Sequence, residues 1–218
     1  MKKTLTIIGI LSLLLINPLN SISESDDNRS TKILNNLSKT YKTYKSIQAS
    51  FAVSIKNKQT NTSVKQSGIL YQKGKKFRVN MSGQEIYCDG KTIWTYLKDA
   101  NEVQISKFDG KTMEINPSKI FTIYEKGFIH KYGGQFSKGS KTLDIIELTP
   151  TDKNKSYYKV KLGIDKLANK VKEMSVYSKN GIMTTYVITE FKPNIEISDA
   201  YFKFNAKAKP GVIEIDLR

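Results

Sequence analysis

The sequence predicts an α+β protein in which one long antiparallel sheet follows an amphipathic helix and is interrupted by a second, shorter helix. Alternation of apolar and polar residues with period two recurs over most of the chain, as in half-buried strands. The dipeptides Asp89-Gly90 and Asn180-Gly181 suit tight hairpin turns, since glycine accepts a positive φ without steric cost. Before the first strand, apolar residues are instead spaced by three and four, which indicates a helix.

The first 23 residues have the organisation of a secretory signal peptide. Lys2 and Lys3 provide a cationic start, residues 5–16 form an apolar run, and residues 21–23 place small side chains at the positions that a signal peptidase reads. We expect cleavage before Glu24. The apolar run is too short to remain as a membrane anchor, and no later stretch is long and apolar enough to cross a bilayer, so the mature chain is expected to be soluble.

Residues 24–218 are expected to form one domain stabilised by a hydrophobic core. Cys88 is the only cysteine, so an internal disulfide is impossible and no cysteine near the cleavage site is available for lipidation. The formal net charge is +16, and loss of Lys2 and Lys3 leaves +14. The excess is scattered lysine, whereas nucleic-acid readers cluster their charge and rely on arginine. A solvated surface and steering towards an acidic partner or an anionic membrane face both stay open.

In chain order, the first element is a helix within residues 25–45. Its apolar residues share one face, and Ser30 or Thr31 is placed to cap it. These apolar residues are Ile33, Leu34, Leu37, Tyr41 and Tyr44. Strands are then expected at residues 51–55, 64–71, 77–81, 85–88, 92–97, 103–108, 142–148, 157–164, 171–177, 183–190 and 201–204.

Two segments interrupt the strands. Residues 117–126 favour a short helix, with Pro117 in its first turn and Gly127 after its end. Residues 127–140 contain four glycines and are expected to be irregular. Because an antiparallel sheet of this length curls, its apolar inner face must be filled by side chains, a helix or a ligand.

Residues that carry catalysis in most enzymes are not arranged as sites here. His130 is the only histidine and has no cysteine or carboxylate at metal-ligand spacing, so an ordinary loop residue is expected. Cys88 lies in an alternating strand and is expected to be a small buried apolar residue rather than a nucleophile. Aspartates such as Asp89 and Asp165 fall beside turns, where they bond their own backbone. The sequence predicts no enzyme, no cofactor and no metal site.

Motifs in order along the chain give it a resemblance to a known family. They lie at residues 46–51 (SIQASF), 68–79 (GILYQKGKKFRV), 88–96 (CDGKTIWTY), 148–150 (LTP) and 201–212, which contain YFKF and KPGV. In this order and spacing they resemble the LolA family of periplasmic carriers, which move lipoproteins from the inner to the outer bacterial membrane.

The resemblance implies an unclosed, strongly curved β-barrel whose concave apolar face is covered by a lid of short helices. Acyl chains of a lipoprotein would lie between the two, in a monomeric protein of the periplasm. The implied partners are acylated lipoproteins, an inner-membrane ABC lipoprotein exporter and, where one exists, an outer-membrane receptor. Two other hypotheses stay open: a sensor of lipids or lipopeptides, or carrier of another amphiphile, with the same fold, and a basic module that binds an acidic polymer.

The resemblance also assigns residues to the cavity. Phe77 matches a cavity aromatic of the family, and Val79 and Met81 alternate with it on one strand face; an ordinary core phenylalanine is the alternative. Trp94 and Tyr96 share one face of their strand and either line the cavity or close an outer core. The full set expected to line the acyl-chain cavity is Phe51, Leu70, Phe77, Val79, Met81, Trp94 and Tyr96.

Lys73 is the candidate latch. The family carries Arg-Pro in the turn before the aromatic strand, where this chain has Lys73-Gly74. The family arginine donates hydrogen bonds to backbone carbonyls of the lid helices in the empty state. Lysine keeps the charge but loses the planar fork of donors, so either a weaker latch or a plain hairpin lysine is expected.

Overall fold

The computed structural model describes residues 25–109, 119–138 and 141–218. The expected signal peptide and the first two residues of the helix predicted at 117–126 lie outside this part. Within the described residues, no helix combines the length and the apolarity needed to span a membrane.

A single sheet of twelve strands forms most of the molecule. Its strands are β1 (Ile47–Asn57), β2 (Thr62–Lys73), β3 (Lys76–Met81), β4 (Gln84–Cys88), β5 (Thr92–Leu97), β6 (Glu102–Lys107), β7 (Phe128–Lys138), β8 (Lys141–Pro150), β9 (Tyr157–Asp165), β10 (Lys170–Ser178), β11 (Ile182–Pro193) and β12 (Ile213–Asp216). Their spatial order is β12-β6-β5-β4-β3-β2-β1-β11-β10-β9-β8-β7. Neighbours pair antiparallel except β12, which runs parallel to β6.

The sheet is not closed, since β12 and β7 are its two edges. Laid flat, twelve strands would span about 50 Å. Side chains from β1 to β5 and from β7 to β11 nevertheless join one hydrophobic cluster with the N-terminal helix. The sheet therefore curves around that cluster, because a flat sheet of this width could not wrap one core. The predicted class, an unclosed curved sheet with a helical cover, is confirmed.

The α-helix of the described residues, α1, spans Asp26–Lys42. Ser25 caps it by accepting a backbone N–H hydrogen bond at 3.4 Å, so the predicted caps at Ser30 and Thr31 are wrong. Those two hydroxyls instead donate to the Asp27 carbonyl, inside the first turns of the helix. The helix therefore begins earlier than its apolar periodicity indicates.

The segment around β7 differs from the sequence-based expectation. Irregular structure is predicted at residues 127–140, but β7 occupies most of that stretch as an extended strand. The β7–β8 register shifts between Tyr132 and Gln135, and Gly134 within this bulge has a φ of +90°. Glycine adopts that backbone conformation without strain, so the glycines serve a strand bulge rather than a loop.

Two smaller elements also differ from their predictions. In its described part, the inserted helix has 3-10 rather than α-helical structure, with a 3-10 turn at Ile123–Glu125. The strand predicted at residues 201–204 is a 3-10 turn as well, at Asp199–Phe202. A short strand that the sequence analysis missed, β12, follows it. The aromatic residues near 201–204 cover the sheet rather than extend it.

Residues 194–212, called the C-terminal strap below, cover the outer face of β3–β6. Phe202 is fully buried, and the Phe204 ring lies 5.6 Å from Tyr87 and 5.5 Å from Tyr96. The strap then leads into β12, which pairs with β6. The sheet consequently has two covered faces, one beneath α1 and one beneath the strap.

Gly68 occupies a position of the sheet that has no room for a side chain. Phe51, Gly68 and Met81 are directly aligned across β1, β2 and β3. A Cβ atom on Gly68 would lie 2.7 Å from Cζ of Phe51 and 2.7 Å from the carbonyl oxygen of Asn80. The Phe51 ring therefore packs directly on bare glycine backbone, and the Asn80 carbonyl cannot move aside without disturbing the sheet.

Gly68→Ala is expected to lower the free energy of unfolding by about 1–3 kcal/mol, because the added methyl overpacks the site. Gly83→Ala is the matched control, since a Cβ there meets nothing within 4 Å. The control is expected to change stability by less than about 1 kcal/mol. Denaturant unfolding of both variants provides the measurement, and equal midpoints would contradict the proposed packing of Phe51 on Gly68.

Candidate functional site

The inner face of the sheet, meaning the face that α1 covers, carries five of the seven side chains assigned to a cavity. Leu70, Phe77 and Val79 belong to the hydrophobic cluster, and Phe51 and Met81 pack against it while partly exposed. The register aligns them, because Leu70 pairs with Val79 and Phe51 lies in the same row as Met81. These five side chains therefore form one continuous apolar surface.

Phe77 is the fully buried member of this surface. Its ring meets Phe108 edge to face at 5.9 Å, and Cys88 lies opposite it on β4. Burial raises the pKa of the Cys88 thiol to about 11, so the thiol stays protonated at neutral pH. Cys88 is thus the small buried apolar residue that the sequence predicts. Protein side chains fill the space around Phe77.

The cover of this face, called the lid below, consists of α1 and residues 119–127. The buried face of α1 consists of Leu34, Leu37 and Tyr41, together with Ser30. The Tyr41 ring stacks on Phe121 at 5.1 Å, and both rings contact Phe191 of β11. Apolar and aromatic packing therefore forms the main attachment of the lid to the sheet.

Few polar contacts tie the C-terminal half of α1 in place. Ser38 donates to Glu125 at 2.8 Å, and the Lys42 ammonium lies 3.5 Å from the same carboxylate, which joins the two parts of the lid. Asn169, in the β9–β10 turn, donates to the Thr40 hydroxyl at 2.7 Å and to a backbone carbonyl of α1 at 3.2 Å. These are exposed or half-buried bonds, each worth only about 1 kcal/mol.

Two tyrosines in the lid interface keep neutral side chains. The Tyr41 hydroxyl accepts a hydrogen bond from the Val171 backbone N–H at 3.1 Å, and burial raises its pKa well above the ordinary value. Burial likewise raises the pKa of Tyr124 to about 12. Both phenols therefore stay uncharged at neutral pH, and an uncharged interface is compatible with an apolar ligand.

The N-terminal end of α1 is anchored by a buried polar network. Ser30 is fully buried and lies 2.9 Å from Nδ1 of His130, which belongs to β7 rather than to a loop as predicted. Arg29 lies 4.1 Å above the Tyr132 ring and 3.7 Å from the Asp144 carboxylate. The Tyr132 hydroxyl donates to Asp144 at 3.0 Å. This end of the helix is therefore held to β7 and β8 by a network that includes an ion pair.

Trp94 and Tyr96 lie on the opposite face of the sheet, so their assignment to the same cavity as Phe77 needs correction. The register pairs Trp94 with Tyr87, and Tyr87 with Arg78, the chain neighbour of Phe77. Because consecutive strand residues point to opposite faces, Trp94 and Tyr96 lie on the outer face with the C-terminal strap. Alternation within one strand fixes which residues share a face, but it does not fix which face that is.

Lys73 holds the strap, not the lid. Its Nζ donates to the Ile197 carbonyl at 3.1 Å and to the Asp199 carboxylate at 3.0 Å. Lys76 donates to the same carboxylate at 2.5 Å, and hydrogen bonds from Lys76 and Lys73 lower the pKa of Asp199. A bond from Lys73 to a backbone carbonyl exists, but its partner is in the C-terminal strap. The latch expected towards the lid helices is corrected accordingly.

Glu85 is a nearly buried carboxylate that ties the outer layer together. It lies 3.0 Å from the Arg78 guanidinium, accepts a hydrogen bond from the Tyr87 hydroxyl, and has Lys98 at 3.7 Å and Lys209 at 3.8 Å. Burial alone would raise the pKa of Glu85, but the Tyr87 hydroxyl, Lys209 and Arg78 together outweigh it, so the pKa is lowered. The carboxylate is therefore more stable as an anion in the folded protein than in the unfolded chain.

In the ranges that the structure describes, no three histidine, cysteine, aspartate or glutamate side chains converge as metal ligands.

Sequence reasoning did not identify the residues that hold the lid. Tyr41 and Phe121 stack although about 80 positions separate them, and Asn169 reaches α1 from a distant turn. A left-handed turn at Asn169 is compatible with its residue type, since its φ is +48°. The contact between that turn and α1, however, leaves no local signal in the sequence.

The Glu85 network generates a prediction about acid stability. Because the folded pKa of Glu85 is lowered, its contribution is present above the unfolded value of about 4.3 and is lost as pH falls through the folded value. Glu85→Gln should therefore be less stable at neutral pH and should lose less stability between about pH 5 and about pH 3. Exposed Glu196→Gln is the control. Chemical denaturation of both variants and the unchanged protein across this pH range provides the measurement. If the free energy of unfolding of Glu85→Gln fell with acid as steeply as that of the unchanged protein, the interpretation would be refuted.

Comparisons with known proteins agree with the fold. The family model described as outer membrane lipoprotein carrier protein LolA matches residues 42–205. An uncharacterized conserved protein from Thermus thermophilus superposes with a TM-score of 0.57 at 13% identity, covering 85% of this chain and 98% of that one. A DUF1329 family protein from Desulfovibrio piger superposes with a TM-score of 0.51 at 12% identity, covering 84% and 99%.

At such identities the superpositions support the fold alone. No curated protein sequence matches the chain. The family match covers most of the chain, from the end of α1 to the C-terminal strap. The chain therefore belongs to the LolA family of outer membrane lipoprotein carrier proteins.

Proposed function

We propose that this protein carries lipoproteins from the inner to the outer membrane through the periplasm, with their acyl chains held between the lid and the inner face of the sheet. The observation that carries this proposal is the attachment of the lid. An apolar face that extends across most of an unclosed sheet is covered by one helix and a short segment, and the C-terminal half of that helix has polar tethers to the sheet only through Asn169 and Val171 among the contacts described above.

Acyl chains would bind by taking the place of the lid side chains. Leu34, Leu37, Tyr41 and Phe121 now cover the inner face, and an acyl chain offers the same kind of apolar surface. Each buried methylene contributes about 0.8 kcal/mol, so ten of them contribute about 8 kcal/mol before the cost of moving the lid. Binding of this kind needs no hydrogen bonds or ion pairs to the acyl chain. It therefore suits lipoproteins whose protein sequences differ.

Release follows from the same exchange. When an acyl chain leaves, the lid side chains return to the inner face and recover most of the apolar contact. The net affinity for the acyl chain therefore stays moderate. The charged network at the N-terminal end of α1 would keep that end attached while the C-terminal half moves. The proposed partners are acylated lipoproteins, an inner-membrane ABC exporter that loads the carrier and, where one exists, an outer-membrane receptor.

The proposal is tested by displacement of a fluorescent apolar probe. The purified protein should bind the probe, and a synthetic peptide with a diacylglyceryl cysteine should displace it, whereas the same peptide without acyl chains should not. Probe binding that resists the acylated peptide would count against a carrier of lipoproteins.

Asn169→Gly provides a sharper prediction about the lid. Glycine accepts the left-handed φ of +48° but removes both side-chain bonds to α1. Because lid opening then costs less, affinity for the acylated peptide should rise about threefold to tenfold.

Asn61→Gly is the matched control, since Asn61 has a φ of +53° in the β1–β2 hairpin, away from the lid. The affinity of Asn61→Gly for the acylated peptide should equal that of the unchanged protein. Weaker binding by Asn169→Gly than by Asn61→Gly would show that lid opening does not limit binding.

A further inference from the structure

A groove of about 580 Å³ runs between the two parts of the lid. One wall is the exposed side of α1, and the other is the segment from Tyr124 to His130. Its size is within the range of about 300–1,000 Å³ that is typical of small-molecule sites. Leu34 and Tyr124 line the groove and also belong to the hydrophobic cluster, so these two side chains form part of the groove and part of the cover of the inner face.

The groove combines an apolar floor with a cationic rim. Leu34, Tyr124 and Phe128 supply the floor, and the lysines of the rim are Lys39, Lys42 and Lys126. Glu125 is the one carboxylate in this lining, and it is already paired with Lys42 and bonded by Ser38. Within the described part of the chain, Lys39 and Lys126 have no ion-pair partner, so the rim carries an excess of positive charge.

His130 adds a polar group to the same groove. The Ser30 hydroxyl has a single proton, which it donates to the Asp27 carbonyl at 2.9 Å. The same hydroxyl lies 2.9 Å from Nδ1 of His130, where the donor and acceptor roles depend on the imidazole tautomer. This arrangement leaves Nε2 outside that bond, on a side chain that lines the groove.

From this arrangement we propose that the groove binds a single-chain anionic amphiphile, with its acidic head at Lys39 and Lys126 and its chain on the apolar floor. The proposal rests on acyl-chain binding beneath the lid, and it adds a preference for negative charge at the entrance. A neutral ligand of equal length would gain the floor contacts but not the rim contacts. A small anion would gain the rim contacts but not the floor contacts.

The experiment compares three probes by calorimetry: dodecanoate, monododecanoylglycerol and inorganic phosphate. Dodecanoate should bind most tightly at low salt, and its advantage over the neutral probe should shrink at high salt because added ions screen the rim. The variant Lys39→Gln/Lys126→Gln should weaken dodecanoate about tenfold and leave the neutral probe within about twofold. Lys58→Gln/Lys65→Gln is the control, with the same change of charge on the β1–β2 hairpin.

Glu125→Gln removes a negative charge from the groove, whereas the lysine variant removes positive charges. Removal of the one carboxylate in the lining should strengthen dodecanoate binding severalfold, and clearly more than it strengthens binding of the neutral probe, which would gain only from the loss of the Lys42 ion pair within the lid. Structural damage would not be expected to produce a gain confined to the anionic probe. If Glu125→Gln strengthened both probes equally, the effect would come from a looser lid and the charge preference would be wrong.

The outcomes separate this inference from the proposed function. Equal binding of the acidic and neutral probes, or equal binding of phosphate and dodecanoate, would overturn the inference while leaving acyl-chain binding intact. Failure of dodecanoate to bind a protein whose apolar probe is displaced by the acylated peptide would also overturn it. If neither that peptide nor any amphiphile binds, the proposed function fails as well.

Discussion

Burial of one apolar sheet face by a small number of lid side chains is the constraint on which the structure depends. A closed barrel would hide such a face by itself, but this sheet has two edges and stays open. Its inner face must therefore be covered by another part of the chain, and α1 with residues 119–127 provides the cover. Since lid and acyl chain offer the same apolar surface, the contact that stabilises the empty protein is also the contact that a ligand would replace.

The outer face of the sheet is joined to its cover by a different kind of contact. Beneath the C-terminal strap, a nearly buried carboxylate is surrounded by an arginine and two lysines, and the arginine lies over the rings of Tyr87 and Tyr201. Such a network has a defined geometry and loses much energy when a partner is removed, so it fixes the strap in one position. The inner face, by contrast, is joined to its cover mainly by apolar and aromatic packing. One sheet thus supports a layer held by charged contacts and a layer held by apolar contacts on its two sides.

Much of the fold was predictable from local patterns, because alternation and turn dipeptides act over a few residues. Strands from β1 to β6 and from β8 to β11 agree with these patterns to within a few positions. Errors arose where one residue type serves two purposes: the glycines of β7 form a bulge, and the aromatic residues near 201–204 cover a face. For the site, periodicity grouped Phe77 with Val79 and Trp94 with Tyr96, yet only the pairing between strands reveals that the two groups face opposite ways. Long-range contacts such as Tyr41 on Phe121 have no local sequence signal.

The bulge in β7 has a consequence for how copies of this protein meet one another. An unclosed sheet offers unpaired backbone N–H and C=O groups along its outermost strands, and such edges invite strand addition and aggregation. Here the shift between Tyr132 and Gln135 divides one edge into two short runs, and β12 limits the other edge to four residues. Neither edge presents a long, straight template to an incoming strand. A sheet with an apolar inner face is thereby kept from joining its neighbours through the backbone of its edge strands.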